Sequence, residues 1–334
     1  MRIVITGATG FIGSNLARLF LERGAEVFGL VRPGSSHREA LPVHERFRLV
    51  DWELGGSSDW IRQIGQADGF FHIAWGGVNR EEIDSPQVQE KNVAGSLDCV
   101  RAAAELGCSV FMDAGSRVEY GLLDGTMEES RECCPINEYG KAKLQFYREA
   151  SVLCGELGLS YYHLRFFSVY GYGDHPWSII STLVRDLRQD KKVALSACRH
   201  QWNFMYIEDA AEAVYQLYCQ AQERRWAKQV QTDRMSAEHA LPENMQPQPS
   251  GCIVNIASDD TRPLHSFVEE IHQIVGGRGE LDYGAFKQAK EGALSICPDI
   301  SRLKELTAGR WRERYTFRQG IEEIIRLSLS EQES

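Results

Sequence analysis

The chain has 334 residues, of which 43% are hydrophobic and 25% charged, with a formal net charge of −10. This suits a folded globular protein long enough for a large α/β core and a smaller lobe. The acidic balance disfavours nucleic-acid binding, and no apolar run approaches the length of a membrane span.

Residues 2–6 form an apolar strand pattern, followed by Gly7-Ala-Thr-Gly10-Phe11-Ile12-Gly13 and a helical pattern from Ser14 to Arg23, closed by Gly24. Strand, glycine turn and helix in this order let backbone N–H groups and a helix N-terminus hold a pyrophosphate. Gly7 permits the tight turn, Gly10 the approach of phosphates, and Gly13 the close packing of helix on strand. The opening segment reads as strand and turn, not as a leader peptide. Further strand patterns lie at 25–31, 46–51, 68–73, 108–114 and 160–167, with helical patterns between them. Such alternation predicts a Rossmann-type, doubly wound parallel sheet with helices on both faces. The second strand runs into Arg32-Pro-Gly-Ser35-Ser-His37-Arg38, with no acid where NAD sites usually hold the ribose hydroxyls. Arg32 stands there instead. A guanidinium suits a 2′-phosphate, so NADP(H) is the expected cofactor and NAD the alternative.

Cys108 to Met112 reads as a buried strand that places Ser116 just past its C-terminal end, where open α/β sheets carry their chemistry. Asn137 is a candidate N-cap for a helix that sets Tyr139 and Lys143 at i and i+4, on one face. A neighbouring ammonium favours a phenolate, so Tyr139 is expected to exchange a proton near neutrality. Beyond Gly171 the alternation breaks. Helical patterns occupy Ser178–Gln189, Asp209–Gln222, Leu264–Val275 and Phe317–Leu329, with strand patterns at Lys192–Ser196 and Cys252–Ala257. Residues 223–250 are polar, lack a period and end in Met-Gln-Pro-Gln-Pro-Ser, which predicts a mobile surface insertion, either a tolerated loop or a lid. The nine cysteines are scattered without CxxC spacing, as expected of reduced thiols in the cytoplasm and of a protein with no metal site.

Taken together these residues resemble the extended short-chain dehydrogenase/reductase family, in its nucleotide-sugar epimerase/dehydratase branch. Thr6 to Gly13 matches TGxxGxxG, His72-Ile-Ala74 matches HxA, and Asn92-Val-Ala-Gly95-Ser matches NVxGS. Arg165 to Gly171 resembles RxxNVYG, Gln201 to Asp209 resembles QRDFxxVxD, and Pro298 to Leu303 with Gly320-Ile321 resembles the closing PxDxxKL…G. Ser116, Tyr139 and Lys143 match the catalytic trio.

The resemblance implies cofactor contacts from Gly7, Gly10, Phe11, Ile12, Gly13, Arg32, Asp51, Ala74, Asn92, Tyr139 and Lys143, and substrate contacts from Ser168, Trp177, Ser178 and Trp202. It implies a dinucleotide domain of residues 1–172, rejoined by 201–222 and 252–257, and a substrate lobe of 173–200 and 258–334. It also implies a homodimer through the helices of Asn92 and Tyr139, with Val100, Ala104, Phe146 and Ala150 as candidate interface residues.

Three departures matter. Dehydratases of the branch carry Asp-Glu where this chain has Arg117-Val118; Val118 cannot act as acid or base, and Glu119 is one residue off. Ser168 replaces the asparagine of RxxNVYG. Trp202 replaces the diphosphate-binding arginine of QRDF and Asn203 its aspartate, leaving Arg199, His200, Arg185 and Arg188 as candidate substitutes. The expected function is reduction of a nucleotide-linked 4-keto-6-deoxy sugar. The alternatives are a nucleotide-sugar 4-epimerase with tightly bound NAD and, from another class, a non-catalytic dinucleotide sensor.

Overall fold

A computed structural model describes residues 1–35, 37–38, 41–79, 81–123, 125–236, 251–285 and 295–330. The first half runs β1 (Arg2–Thr6), α1 (Phe11–Glu22), β2 (Glu26–Val31), β3 (Phe47–Asp51), α2 (Trp60–Ile64), β4 (Gly69–His72), α3 (Pro86–Glu105) and β5 (Val110–Ser116). A 3-10 turn (Arg117–Tyr120) leads to α4 (Glu138–Glu156), β6 (Ser160–Phe166), β7 (Ser168–Tyr170), α5 (Ile179–Arg188), β8 (Lys192–Leu195) and β9 (Gln201–Tyr206). The remainder is α6 (Ile207–Ser236), β10 (Gly251–Ile256), β11 (Thr261–Pro263), α7 (Leu264–Ile274), β12 (Glu280–Tyr283), α8 (Ser301–Leu306) and α9 (Phe317–Ser330).

Seven strands make one parallel sheet in the order β10-β6-β5-β4-β1-β2-β3. The period of two divides β1 between the sheet's faces. Ile3 and Ile5 join one core with Leu16, Phe20, Phe71 and Leu217, while Val4 joins the other with Phe28, Phe70, Phe111 and Phe146. With both faces covered, strand interiors read as near-continuous apolar runs, which is why the sequence pattern located them. Strand order reverses between β1 and β4, and the crevice at such a switch point, beyond the strand C-termini, is where this architecture takes ligands.

A smaller lobe packs its own core of Tyr170, Leu183, Leu187, Phe204, Phe267, Phe317 and Ile321. It holds a three-stranded sheet, β11-β9-β7, and the parallel pair β12-β8. The expected return of 252–257 to the large sheet is seen as β10 beside β6. In the stretch 201–222 the elements divide: β9 belongs to the small sheet, while α6 packs on α1.

Two expectations are corrected. The helix beginning at Ile207 continues to Ser236, through much of the segment read as an insertion. The sequence beyond Gln222 has no apolar period to reveal it, and Arg224 donates to the Leu306 carbonyl at 3.1 Å and Arg225 to that of Gly158 at 2.7 Å. Residues 237–250, the rest of the expected insertion, lie outside the described residues. Val100, Phe146 and Ala150 are each 0% exposed, buried where α3 and α4 pack on the sheet, so they are core within one chain and not available to a partner. Ala104 is partly buried against the same core. No described helix is long and apolar enough to cross a membrane.

Candidate active site

The glycine turn sits at the sheet's switch point. Gly7 has φ +68°, and a Cβ there would lie 2.9 Å from the Ala74 nitrogen. A Cβ on Gly13 would come within 2.2 Å of the Gly7 carbonyl oxygen. Gly10 caps α1 without any side chain, so the N–H groups of the first turn, Phe11 to Gly13, have no intrahelical acceptor and present a partial positive charge. This is a cradle shaped for phosphate oxygens, and the residues fit a dinucleotide. Phe11 and Ile12 also pack against the smaller lobe's core, tying the cradle to the junction of the two lobes.

Behind the cradle is a polar chain. The Thr6 hydroxyl accepts from the backbone of Ile73 (3.0 Å) and Ala74 (3.1 Å) and pairs with His72 Nδ1 at 2.9 Å. His72 Nε2 pairs with Ser96 at 2.8 Å. Burial, with the Lys143 charge adding, pushes the imidazole down to about 3 and keeps it neutral. Asn92 clamps Gly76, accepting from its N–H at 3.1 Å and donating to its carbonyl at 2.9 Å. Its amide is therefore engaged in holding the loop after β4. At the far end of the crevice Arg32 is exposed beyond β2, and Asp51, the last residue of β3, pairs with Arg38 at 2.9 Å.

Ser116 ends β5 and caps the 3-10 turn, its hydroxyl accepting from Val118 N–H at 3.4 Å while its own N–H donates to Glu119 at 2.6 Å. Asn137 caps α4, accepting from Gly140 N–H at 2.8 Å, and this starts the helix at the phase that aims Tyr139 and Lys143 at Ser116. The Ser116 hydroxyl is near enough to the Tyr139 phenol to favour its phenolate. Lys143 is 2% exposed; its ammonium donates to the Ala114 carbonyl at 2.6 Å and lies 3.5 Å from the centre of the Trp75 ring. Trp75 in turn meets Tyr139 edge-on at 6.2 Å. Ser116, Tyr139 and Lys143 are thus brought together at the end of β5.

Their electrostatics differ from the expectation. Burial pushes the Tyr139 phenol up to about 12, outweighing the nearby Ser116 hydroxyl and the Arg117 charge that favour the phenolate. Lys143, whose ammonium lies 5.8 Å from the Tyr139 ring centre, is itself lowered by burial to about 8 against the pull of Asp113 and Glu119. In this structure Tyr139 is a phenol that holds its proton at neutral pH.

Directly behind the trio lies a buried charge cluster that sequence reasoning missed. His163 Nδ1 is 3.0 Å from both Asp113 carboxylate oxygens, and its Nε2 is 2.9 Å from Glu119, which also accepts from Arg165 Nε at 2.8 Å. All four residues are at most 1% exposed. Asp113 and Gly115 face His163 and Arg165 across the β5–β6 register, and a Cβ on Gly115 would fall 2.5 Å from His163 Nε2. Glu119 is therefore engaged in the core and is not a free acid beside the substrate crevice.

The expected substrate contacts are dispersed. Ser168 lies partly buried in β7. Ser178 is the N-cap of α5, accepting from Ser181 N–H at 3.2 Å. Trp177 is 75% exposed and stacks on His175 at 4.5 Å. Trp202 packs against the cores of both lobes, and the Arg117 guanidinium lies 5.2 Å from its ring centre. Asn203 is 0% exposed, bound to Ser258 at both amide atoms, and structural. Of the candidate substitutes for the missing arginine, Arg185 is engaged by Asp186 and the Pro176 carbonyl, and Arg199 is exposed. Among the described residues no cluster of His, Cys, Asp and Glu could hold a metal ion.

Comparison with known proteins agrees with this geometry. The profile of the NAD dependent epimerase/dehydratase family matches residues 3–227. A UDP-glucose 4-epimerase of Corynebacterium glutamicum is 27% identical over 177 residues, covering 52% of this chain and 53% of that protein. A dTDP-6-deoxy-L-talose 4-dehydrogenase (NAD(+)) of Aggregatibacter actinomycetemcomitans is 30% identical over 176 residues, covering 51% and 62%. The chain thus spans about half the length of the first of these curated relatives and somewhat more of the second. The solved structure of MoeE5 in complex with UDP-glucuronic acid and NAD shares the fold, with a TM-score of 0.77 at 22% identity, covering 99% of this chain and 100% of that one. The glycine turn at the switch point, the meeting of Ser116, Tyr139 and Lys143, and the family profile over residues 3–227 converge on one statement: the chain belongs to the NAD dependent epimerase/dehydratase family.

Proposed function

We propose that this protein transfers a hydride between a nicotinamide cofactor and a ring carbon of a nucleotide-linked sugar, and that its net reaction is reduction of a 4-keto-6-deoxy sugar. The observation that carries the reading is the meeting of Ser116, Tyr139 and Lys143 at the sheet's C-terminal edge beside the glycine cradle. The cofactor, when bound, supplies or accepts the hydride at its nicotinamide ring. Gly7 to Gly13 would hold its pyrophosphate and Lys143 its nicotinamide ribose. Tyr139 gives a proton to the sugar oxygen as the carbonyl is reduced, and Ser116 hydrogen-bonds the same oxygen. A buried phenol at about 12 is set as an acid, the role that reduction requires first. Water elimination by an Asp-Glu pair is disfavoured, because Arg117-Val118 replaces the pair and Glu119 is held by His163 and Arg165.

Arg32, exposed and without an ion pair among the described residues, favours NADP(H). NAD is the alternative, since structural neighbours hold it. A second reading, a 4-epimerase that retains NAD, is supported by the epimerase relative. We further propose a homodimer through the exposed faces of α3 and α4, and a reducing cytoplasmic setting for the nine unpaired thiols. The test is a turnover screen of nucleotide 4-keto sugars with NADH and NADPH, with assay of the cofactor that copurifies. A reductase consumes added NADPH or NADH; an epimerase carries stoichiometric NAD and consumes none. A protein that binds cofactor but turns over neither class would be the sensor.

A further inference from the structure

The Arg117 guanidinium is only partly buried, at the junction of the lobes, and its charge acts on the Tyr139 phenol. Among the described residues no ion pair engages it, and it lies over the face of Trp202, 5.2 Å from the ring centre. Two more polar atoms beside it lack partners. Trp202 Nε1 and His200 Nδ1 are both buried without a hydrogen bond, and the two rings meet at 5.3 Å. Burial keeps His200 neutral, so this corner offers one fixed cation and orphan ring nitrogens with no anion. Unpaired buried donors and an unpaired guanidinium are each costly in a folded chain unless a ligand completes them. The nearest acid, Glu119, is closed off by His163 and Arg165.

Resting on the nucleotide-sugar reading above, we propose that Arg117, backed by Trp202, is the residue that binds an oxyanion of the substrate in the crevice beside Tyr139. The chemistry is a charge-assisted, bidentate grip on a planar or tetrahedral oxyanion by a guanidinium placed over an aromatic ring. Two groups of a nucleotide sugar could supply it: a carboxylate on the sugar ring, next to the carbon that Tyr139 serves, or the diphosphate, for which Trp202 has displaced the expected arginine. The same position carries an acid in dehydratases of the branch, so this chain has replaced a proton-transfer group by an anion-binding one.

The test is titration of UDP, UDP-glucose, UDP-glucuronate and dTDP-glucose into the cofactor-loaded protein, wild type against Arg117→Gln and Arg117→Lys, read by calorimetry. Loss of one charge-assisted contact should weaken binding by about 10- to 100-fold in Arg117→Gln, with part regained in Arg117→Lys. Loss confined to UDP-glucuronate assigns the ring carboxylate; equal loss for all four assigns the diphosphate. Unchanged affinities in Arg117→Gln would overturn the proposal, as would a matching loss of cofactor affinity, which marks a collapsed crevice. Failure of the wild type to bind any of the four would overturn the nucleotide-sugar reading itself, and this inference with it.

Discussion

Stability should fall as pH rises from 6.5 to 8, and His163 should be the cause. The imidazole is enclosed by Asp113 on β5 and Glu119 on the 3-10 turn, with the Tyr161 hydroxyl 3.4 Å from Nδ1 and the Tyr147 ring at 5.0 Å. Arg165 lies on the far side of Glu119. Burial alone would strip the proton, but the two carboxylates outweigh it and hold the group up at about 9. A histidine raised above its ordinary 6.5 stabilises the fold fully below 6.5 and loses that contribution as pH climbs through about 9. The whole effect is on the order of 3 kcal/mol, of which roughly 1.5 kcal/mol disappears by pH 8. The window ends there because Lys143, lowered to about 8 by burial, runs the other way, returning stability at higher pH. Below 6.5, His72 acts: held neutral down to about 3, it costs stability as the unfolded chain takes up the proton, so the maximum falls near 6.5. Urea midpoints at pH 6.5 and 8 measure the slope. His163→Gln should lower stability at pH 6.5 by about 3 kcal/mol, by leaving the carboxylates underpaired, and flatten the profile above it. Stability that stays level or rises between 6.5 and 8 in the wild type, or a His163 imidazole resonance titrating near 6.5, would refute the assignment of a buried charged histidine.

Tyr139→Phe should cut turnover by about 10²–10⁴-fold while cofactor affinity is kept, because only the proton-transferring hydroxyl is removed; near wild-type rates would remove Tyr139 from the mechanism. Gly13→Ala puts a Cβ 2.2 Å from the Gly7 carbonyl, so fluorescence titration should show cofactor binding lost, with about 1–3 kcal/mol of stability; unchanged binding would mean that the cradle is not the pyrophosphate site. Arg32→Ala should weaken NADPH by about 10- to 100-fold and leave NADH nearly unchanged, as measured by competition binding. Equal losses for the two cofactors would end the NADP(H) preference.

What was legible in the sequence was local. The glycine turn follows β1 and opens α1, Tyr139 and Lys143 are one helical turn apart, and the strands buried on both faces show as apolar runs within a few residues. Each is a pattern of near neighbours whose geometry the backbone imposes, so the large sheet, the cradle and the trio could all be placed from the order of residues. The continuation of α6 beyond Gln222 could not, because the sequence there has no apolar period.

The rest depends on which distant residues the sheet brings side by side. Asp113 faces His163, and Gly115 faces Arg165, only because β5 and β6 pair in one register, and that register draws Glu119 into the core. The same packing lays Lys143 on Trp75 and Arg117 on Trp202, and it partly buries Tyr139, so that desolvation outweighs the cations expected to free its proton. Residue types and spacing along the chain therefore determined the fold and the chemical groups. Tertiary structure decided their protonation and partners, because desolvation and Coulomb energy depend on surroundings in space and not on separation in sequence.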